Sequence, residues 1–343
     1  MNLPNQRIVY LNGEYVPESE ARIPFRDRGV KYGDAVFDTT RTFGHDIFRL
    51  REHLDRFYRS LKYLRIDTQM SIDDFIAVTE QVVERNLPLI GKDEDYWVTQ
   101  RVTRGLDPAD AAAWPEWEGP TVIVECLPLP LAARAESYRD GLNIVTPSVR
   151  RVAPDMVSPR AKTHNYLNLV LGDLEVSAQS PGAHAILLDV NGNLSEGKGS
   201  NFFLVTDGVI KTPKERYVLP GVSRSVVREL AEKLSIPLKE NDIDLFDAYN
   251  ADECFISSTS FCVCPIRSGI FHRRFYCLHS SVFLLHASVG TPRHDRAPRA
   301  GRKEAVYRPP HPAGQAYCRI SAVRRVPAGG PLCPVPRRNT EVK

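Results

Sequence analysis

The chain has 343 residues, 42% hydrophobic and 25% charged, enough for two domains and a sizeable buried core, and not the composition of a disordered chain. No apolar run approaches the roughly 18 residues a membrane helix needs, and Met1 to Arg7 lack the apolar stretch of a signal peptide, so a cytoplasmic location and no membrane partner are expected. The net charge of +3 divides unevenly: residues 269–343 hold 14 Lys/Arg against 3 Asp/Glu, whereas residues 1–268 hold 31 against 39, so the body is mildly acidic and no nucleic-acid partner is indicated.

Ile8–Leu11 and Glu14–Val16 flank Asn12-Gly13 and predict a β-hairpin, because Asn-Gly suits a type I′ turn. The stretch from Tyr32 to Arg41 is dense in aromatic and β-branched residues and reads on pattern as a buried strand. After a short strand at Asp46–Leu50, apolar Leu54, Phe57, Leu61 and Leu64 predict a helix over Arg51–Leu64. A second helix follows over Asp73–Asn86, capped by Ser71 and closed before Pro88. Strands are expected at Tyr96–Thr103 and Thr121–Cys126, separated by a loop with Trp114-Pro115. Alternating prolines in Leu127-Pro128-Leu129-Pro130-Leu131 predict a stiff extended linker, residues 127–138, between an N-terminal domain (1–126) and a C-terminal domain (139–268). In the latter the pattern predicts a strand at Leu142–Thr146, a helix at Tyr166–Ser177 and a strand at Ala185–Asp189 ended by an Asn191-Gly192 turn. A hairpin over Phe202–Val205 and Val209–Lys211, a helix at Ser223–Leu234 and a strand at Glu253–Ser257 complete it. Hairpins followed by helices, twice over, give an α/β (α+β) two-domain fold. Seven cysteines without a CxxC pair or His-spaced partner indicate neither a disulfide framework nor a metal site.

Several residues have the chemistry of a pyridoxal phosphate enzyme, which needs an amine, a carboxylate for the ring nitrogen, an anion cradle and a stacking surface. Lys162 stands before a helix with Tyr166 close behind; alone, a lysine is usually a solvated surface charge. Glu196 lies between two predicted strands beside glycines, the setting of an ordinary turn carboxylate or of a backbone closing on a flat ligand. Gly221-Val222-Ser223 opens a helix, and helix N-termini bind phosphate as well as simply being capped. Ser258-Thr259-Ser260 at a strand end and Arg51 at a strand-to-helix junction would supply further anion contacts.

In register, Tyr32-Gly33 with Phe37, Phe48 to Leu54, Lys162 to Leu167, Leu194 to Gly197, Leu219 to Arg224, and Ser258-Thr259 with Pro265 to Ser268 resemble the class IV aminotransferases over roughly residues 8–268. The resemblance implies a fold type IV enzyme with pyridoxal 5'-phosphate between its two domains, in a homodimer whose partner contributes to each pocket. It implies that Lys162 forms the Schiff base and moves the proton, Glu196 pairs with the ring nitrogen, Tyr166 with the ring oxygen, and Leu219 packs on the ring. Arg51, Val222, Ser223 and Thr259 would hold the phosphate. Tyr32, Phe37, Thr39, Trp97, Thr99, Thr259 and Ser260 would meet the substrate. The implied reaction carries an amino group from a branched-chain amino acid or similar amine to a 2-oxo acid such as 2-oxoglutarate. Branched-chain enzymes usually carry Tyr-x-Arg on the strand beginning near Tyr96; Trp97 and Thr99 stand there, and Thr99 together with Thr39, where branched-chain enzymes often have glycine, resembles the (R)-selective amine transaminases that use pyruvate. Arg101 is a candidate substitute for the missing arginine, although it shares a strand face with Thr99. An aminodeoxychorismate lyase-like enzyme and a silent cofactor-binding protein are the other readings. Residues 269–343, basic and Pro/Arg-rich, depart from the family pattern and are expected to be disordered or the product of a shifted reading frame.

Overall fold

The computed structural model describes residues 6–269 and 273–274, and the chain builds two sheets in succession. The first contains β1 (Ile8–Leu11), β2 (Glu14–Pro17), β3 (Ala35–Phe43), β4 (Asp46–Ile47), β5 (Tyr96–Thr103) and β6 (Val122–Pro128), in the spatial order β2-β1-β6-β5-β3-β4. Its pairings are antiparallel. The predicted turn between β1 and β2 is present, with Asn12 and Gly13 at φ 46° and 101°, the left-handed backbone that a type I′ turn demands.

Three helices accompany this sheet: α1 (Arg28–Tyr32), α2 (Leu50–Leu64) and α3 (Ile72–Asn86). Leu54, Phe57 and Leu61 of α2 recur at three- and four-residue spacing, Phe75 and Val82 of α3 stand two turns apart, and with Val83 they share a core with Val36, Tyr96, Val98 and Val124 of the sheet. Ser71 begins α3 with a reciprocal cap: its hydroxyl accepts from Asp74 N–H while the Asp74 carboxylate accepts from Ser71 N–H. A short helix, α4 (Pro108–Ala111), lies in the loop before β6.

The extended linker expected over residues 127–138 is helical from Leu131 onward, as α5 (Leu131–Asp140). Pro130 stands just before the first helical residue, where its missing N–H removes no helix bond, and Ala132-Ala133-Arg134-Ala135-Glu136 has high helix propensity. Gly141, at φ 77°, ends the helix.

The second sheet contains β7 (Leu142–Val145), β8 (His184–Ala185), β9 (Glu196–Gly197), β10 (Ser200–Thr206), β11 (Val209–Pro213), β12 (Leu238–Asn241), β13 (Glu253–Ser258), β14 (Cys262–Gly269) and β15 (Arg273–Arg274). Its order is β12-β11-β10-β13-β14-β7-β8, with β9 on β10 and β15 on β14. Helices α6 (Leu167–Gln179), α7 (Val222–Lys233) and α8 (Leu245–Asn250) pack around it. Both faces are covered, which is why β10 reads as an unbroken apolar run: Phe202 and Leu204 point into a core with Ala248 of α8, Phe203 and Val205 into one with Val226, Val227 and Leu230 of α7. The strand expected over Ala185–Asp189 is shorter, because the Asn191-Gly192 turn folds Leu187 and Leu188 back onto Leu194 to Glu196 instead.

Residues 162–164 join the two halves. Phe37 N–H donates to Lys162 O at 3.0 Å and His164 N–H to Ala35 O at 2.9 Å, while Lys162 N–H donates to Ser60 Oγ of α2 at 3.0 Å. No helix among the described residues is long and apolar enough to cross a membrane. The expectations for the tail, apart from Gly269, Arg273 and Arg274, lie outside the described residues.

Candidate active site

The backbone of Lys162 is fastened to β3 and α2, so its side chain enters a cavity of about 300 Å³ between the two sheets. There Nζ donates to the Tyr166 phenol oxygen at 3.0 Å and lies 4.4 Å from the centre of the Phe37 ring. Phe37 also meets Tyr166 edge to face at 5.2 Å, which fixes the phenol beside the amine.

Glu196 of β9 lines the same cavity and is buried. Its Oε1 accepts from Arg151 Nε at 2.9 Å and its Oε2 from Leu219 N–H at 2.9 Å, so the carboxylate is oriented by both oxygens. The neighbouring Gly197 serves the protein's own packing, since a Cβ there would stand 2.7 Å from Ser200 Oγ and 2.9 Å from Ala185 O.

Another part of the wall carries a helix start and a cluster of hydroxyls. Val222 and Ser223 form the first turn of α7, whose Gly221 N-cap offers no side-chain hydrogen bond, leaving backbone N–H groups for a ligand. Ser258 and Thr259 at the end of β13 lie beside them, and Ser257 Oγ, also on the cavity, is buried with no hydrogen-bond partner among the described residues.

Arg51 does not join this cluster. It sits in the first turn of α2 with its side chain 57% exposed and paired to Asp73. The basic residue that α2 turns inward is Arg56, on the face that also carries His53, Phe57 and Ser60. Arg56 grips Asp38 through Nε at 2.8 Å and Nη2 at 2.7 Å, and its Nη1 donates to Pro220 O at 3.1 Å. His53 Nδ1 lies 2.7 Å from the same carboxylate. Burial alone would raise the Asp38 carboxyl, but Arg56 and His53 hold it well below the usual range. The three-and-four spacing of His53, Arg56, Phe57 and Ser60 was the signal in the sequence that could have identified Arg56. Arg151 had no such cue.

Phe37, Thr39, Trp97, Thr259 and Ser260 line the cavity, as do Leu219, Val222 and Ser223. Thr99 stands behind Thr39, the two hydroxyls 3.1 Å apart, because β3 and β5 pair them directly. Tyr32 is not brought to this cavity: it closes α1, is 57% exposed, and lies under Arg28 and Lys31. Gly33, at φ 67°, turns the chain between Tyr32 and β3. Arg101 is tied to Glu125 at 2.7 Å.

Residues 35–268 match the family model of amino-transferase class IV. The chain is 36% identical over 261 residues to a putative branched-chain-amino-acid aminotransferase of Methanocaldococcus jannaschii, spanning 75% of this chain and 86% of that one. It is 31% identical over 267 residues to a D-alanine aminotransferase of Staphylococcus aureus, spanning 75% and 87%. The structure superposes with a TM-score of 0.73 and 28% identity on the branched-chain aminotransferase of Thermoproteus uzoniensis solved with norvaline, over 82% of this chain and 93% of that one. With a lysine, a phenol and a carboxylate on one cavity, and this similarity across most of the described residues, the chain belongs to the class IV aminotransferase family. It is an aminotransferase similar to the branched-chain enzymes, with pyridoxal 5'-phosphate as its cofactor.

Proposed function

We propose that the protein transfers an amino group from a branched-chain amino acid to a 2-oxo acid such as 2-oxoglutarate, in two half-reactions of ping-pong order. The observation that carries this reading is the meeting of Lys162, Tyr166 and Glu196 on one cavity with the uncapped start of α7. Pyridoxal phosphate supplies an aldehyde that bonds amines and a ring that takes up electrons when the substrate Cα–H bond breaks. Lys162 Nζ accepts the proton from Cα and later returns it, with Tyr166 holding the amine in place. Glu196, fixed by Arg151 and Leu219 N–H, would hold a proton on the ring nitrogen. Arg56 with Val222, Ser223 and Thr259 would hold the phosphate, and Leu219 would pack on the ring.

In this reading residues 1–126 and 139–268 are the two domains flanking the cofactor, and the protein is a cytoplasmic homodimer. Leu167, Leu171 and Leu174 are exposed along α6 at helical spacing, which supports pairing with a second copy. In that pair Tyr32 would serve the partner's pocket.

The neutral Thr39–Thr99 pair favours a second reading, an (R)-selective amine transaminase. Comparing leucine plus 2-oxoglutarate with (R)-1-phenylethylamine plus pyruvate separates the two. The first pair is expected to react faster; the reverse order overturns the branched-chain reading.

A further inference from the structure

Among the described residues, every cation lining the cavity apart from Lys162 is paired with a carboxylate: Arg56 with Asp38, Arg151 with Glu196, and Lys198 with Asp173. Arg101, whose guanidinium lies 5.8 Å from the Phe37 ring, is held by Glu125. An anionic substrate therefore finds few free charges on the walls. Arg134 is different. It belongs to α5, the helix formed where the sequence predicts an extended linker, and it is half-buried. Its guanidinium lies 4.9 Å from the Trp97 ring and 4.2 Å from the Phe261 ring, and donates to Ser260 Oγ. Trp97 and Ser260 both line the cavity. No carboxylate among the described residues forms an ion pair with Arg134, and the nearby cation Arg41 is occupied by Asp95 at 3.4 Å. Arg134 is thus a partly desolvated cation, stacked on aromatic faces at the cavity edge, with guanidinium N–H groups beyond the one given to Ser260.

We propose that Arg134 recognises a carboxylate of the substrate, in place of an arginine at Thr99 on β5. This rests on the aminotransferase reading above and narrows it to amino and 2-oxo acids rather than simple amines. A guanidinium prefers a planar anion that can accept two N–H bonds, and the stacking on Trp97 and Phe261 limits its orientations before substrate arrives. The helix supplies the aim: Leu131, Arg134 and Tyr138 follow the three- and four-residue spacing of one face, with Tyr138 against Phe261 at 6.4 Å.

The test uses the holoenzyme with Arg134→Gln and Arg134→Lys, and two probes of one shape, 4-methylvaleric acid and its neutral amide, measured by calorimetry. Wild type should prefer the acid. Arg134→Gln should weaken the acid about 10- to 100-fold and leave the amide within about twofold, and Arg134→Lys should restore part of the loss. The KM for leucine should rise with Arg134→Gln while the bound cofactor's absorbance stays unchanged. Equal binding of acid and amide by wild type overturns the proposal. So does equal weakening of both probes by Arg134→Gln, which would show only lost packing against Trp97 and Phe261. A wild type without turnover would contradict the aminotransferase reading, whereas the acid-to-amide comparison needs no turnover and still decides the role of Arg134.

Discussion

Arg56 and Asp38 form a two-pronged pair inside the protein, with Nε to Oδ2 at 2.8 Å and Nη2 to Oδ1 at 2.7 Å. The pair joins α2 to β3, and the remaining terminal nitrogen of Arg56 reaches Pro220 O, just before α7. One buried contact thus sets the distance between the lysine-bearing seam on β3 and the uncapped start of α7. Asp38→Asn should therefore destabilise the fold by about 3–5 kcal/mol in a denaturant titration, because the Arg56 charge is left buried and uncompensated.

The same geometry separates the two arginines of α2. Arg56→Gln is expected to weaken pyridoxal phosphate binding by at least about tenfold in a fluorescence titration. Arg51→Gln should leave that affinity unchanged, since Arg51 is exposed on Asp73 and does not line the cavity. Equal losses in both variants would contradict the placement.

Gly221 is held close to Asn201, whose Nδ2 donates to Leu219 O at 2.9 Å. A Cβ at Gly221 would stand 2.1 Å from Asn201 Oδ1. Gly221→Ala should cost about 1–3 kcal/mol of thermal stability through overpacking and loosen the cofactor. Adding Asn201→Ala should recover part of the stability; no recovery would place the strain elsewhere.

Much of this architecture was legible because local chemistry and tertiary packing agree. The turn at Asn12-Gly13, the Ser71 cap and the apolar run of β10 are all dictated within a few residues. Lys162, Tyr166 and Glu196 came from motifs in register, and the structure brings them to one cavity. Arg51 faces solvent, which was not legible, because a strand-to-helix junction says where a helix starts, not which face looks inward. The extended linker failed because prolines at 128 and 130 end before Ala132, and helix propensity governs the residues from there to Asp140. Leu238–Asn241 carries no strand signal in sequence because β12 is a short edge strand, Leu-Lys-Glu-Asn, whose charges suit an edge and hide any alternation.

Burial, reinforced by Arg101 and then Lys162, pushes the His164 imidazole down to about 4 from its ordinary 6.5, against the opposing pull of Asp27. The neutral ring therefore stabilises the fold fully above about 6.5. That contribution, up to about 3 kcal/mol, is lost as pH falls from 6.5 through about 4. His164 Nε2 is buried without a hydrogen-bond partner among the described residues, so His164→Phe should be tolerated and should flatten the fall in stability between pH 7 and 4. Identical slopes for the two proteins in chemical denaturation would contradict this assignment.

Lys162, 3.0 Å from Tyr166 in the cavity shared with Glu196, is in the proposed reaction the amine through which the protein works. The most direct test of this role is the absorbance of the purified protein with pyridoxal phosphate, before and after adding leucine and then 2-oxoglutarate. Wild type should show a near-visible band that shifts with leucine and returns with 2-oxoglutarate, and Lys162→Ala should lack both the band and the transamination. A Lys162→Ala protein that keeps the band and transfers the amino group would contradict the account.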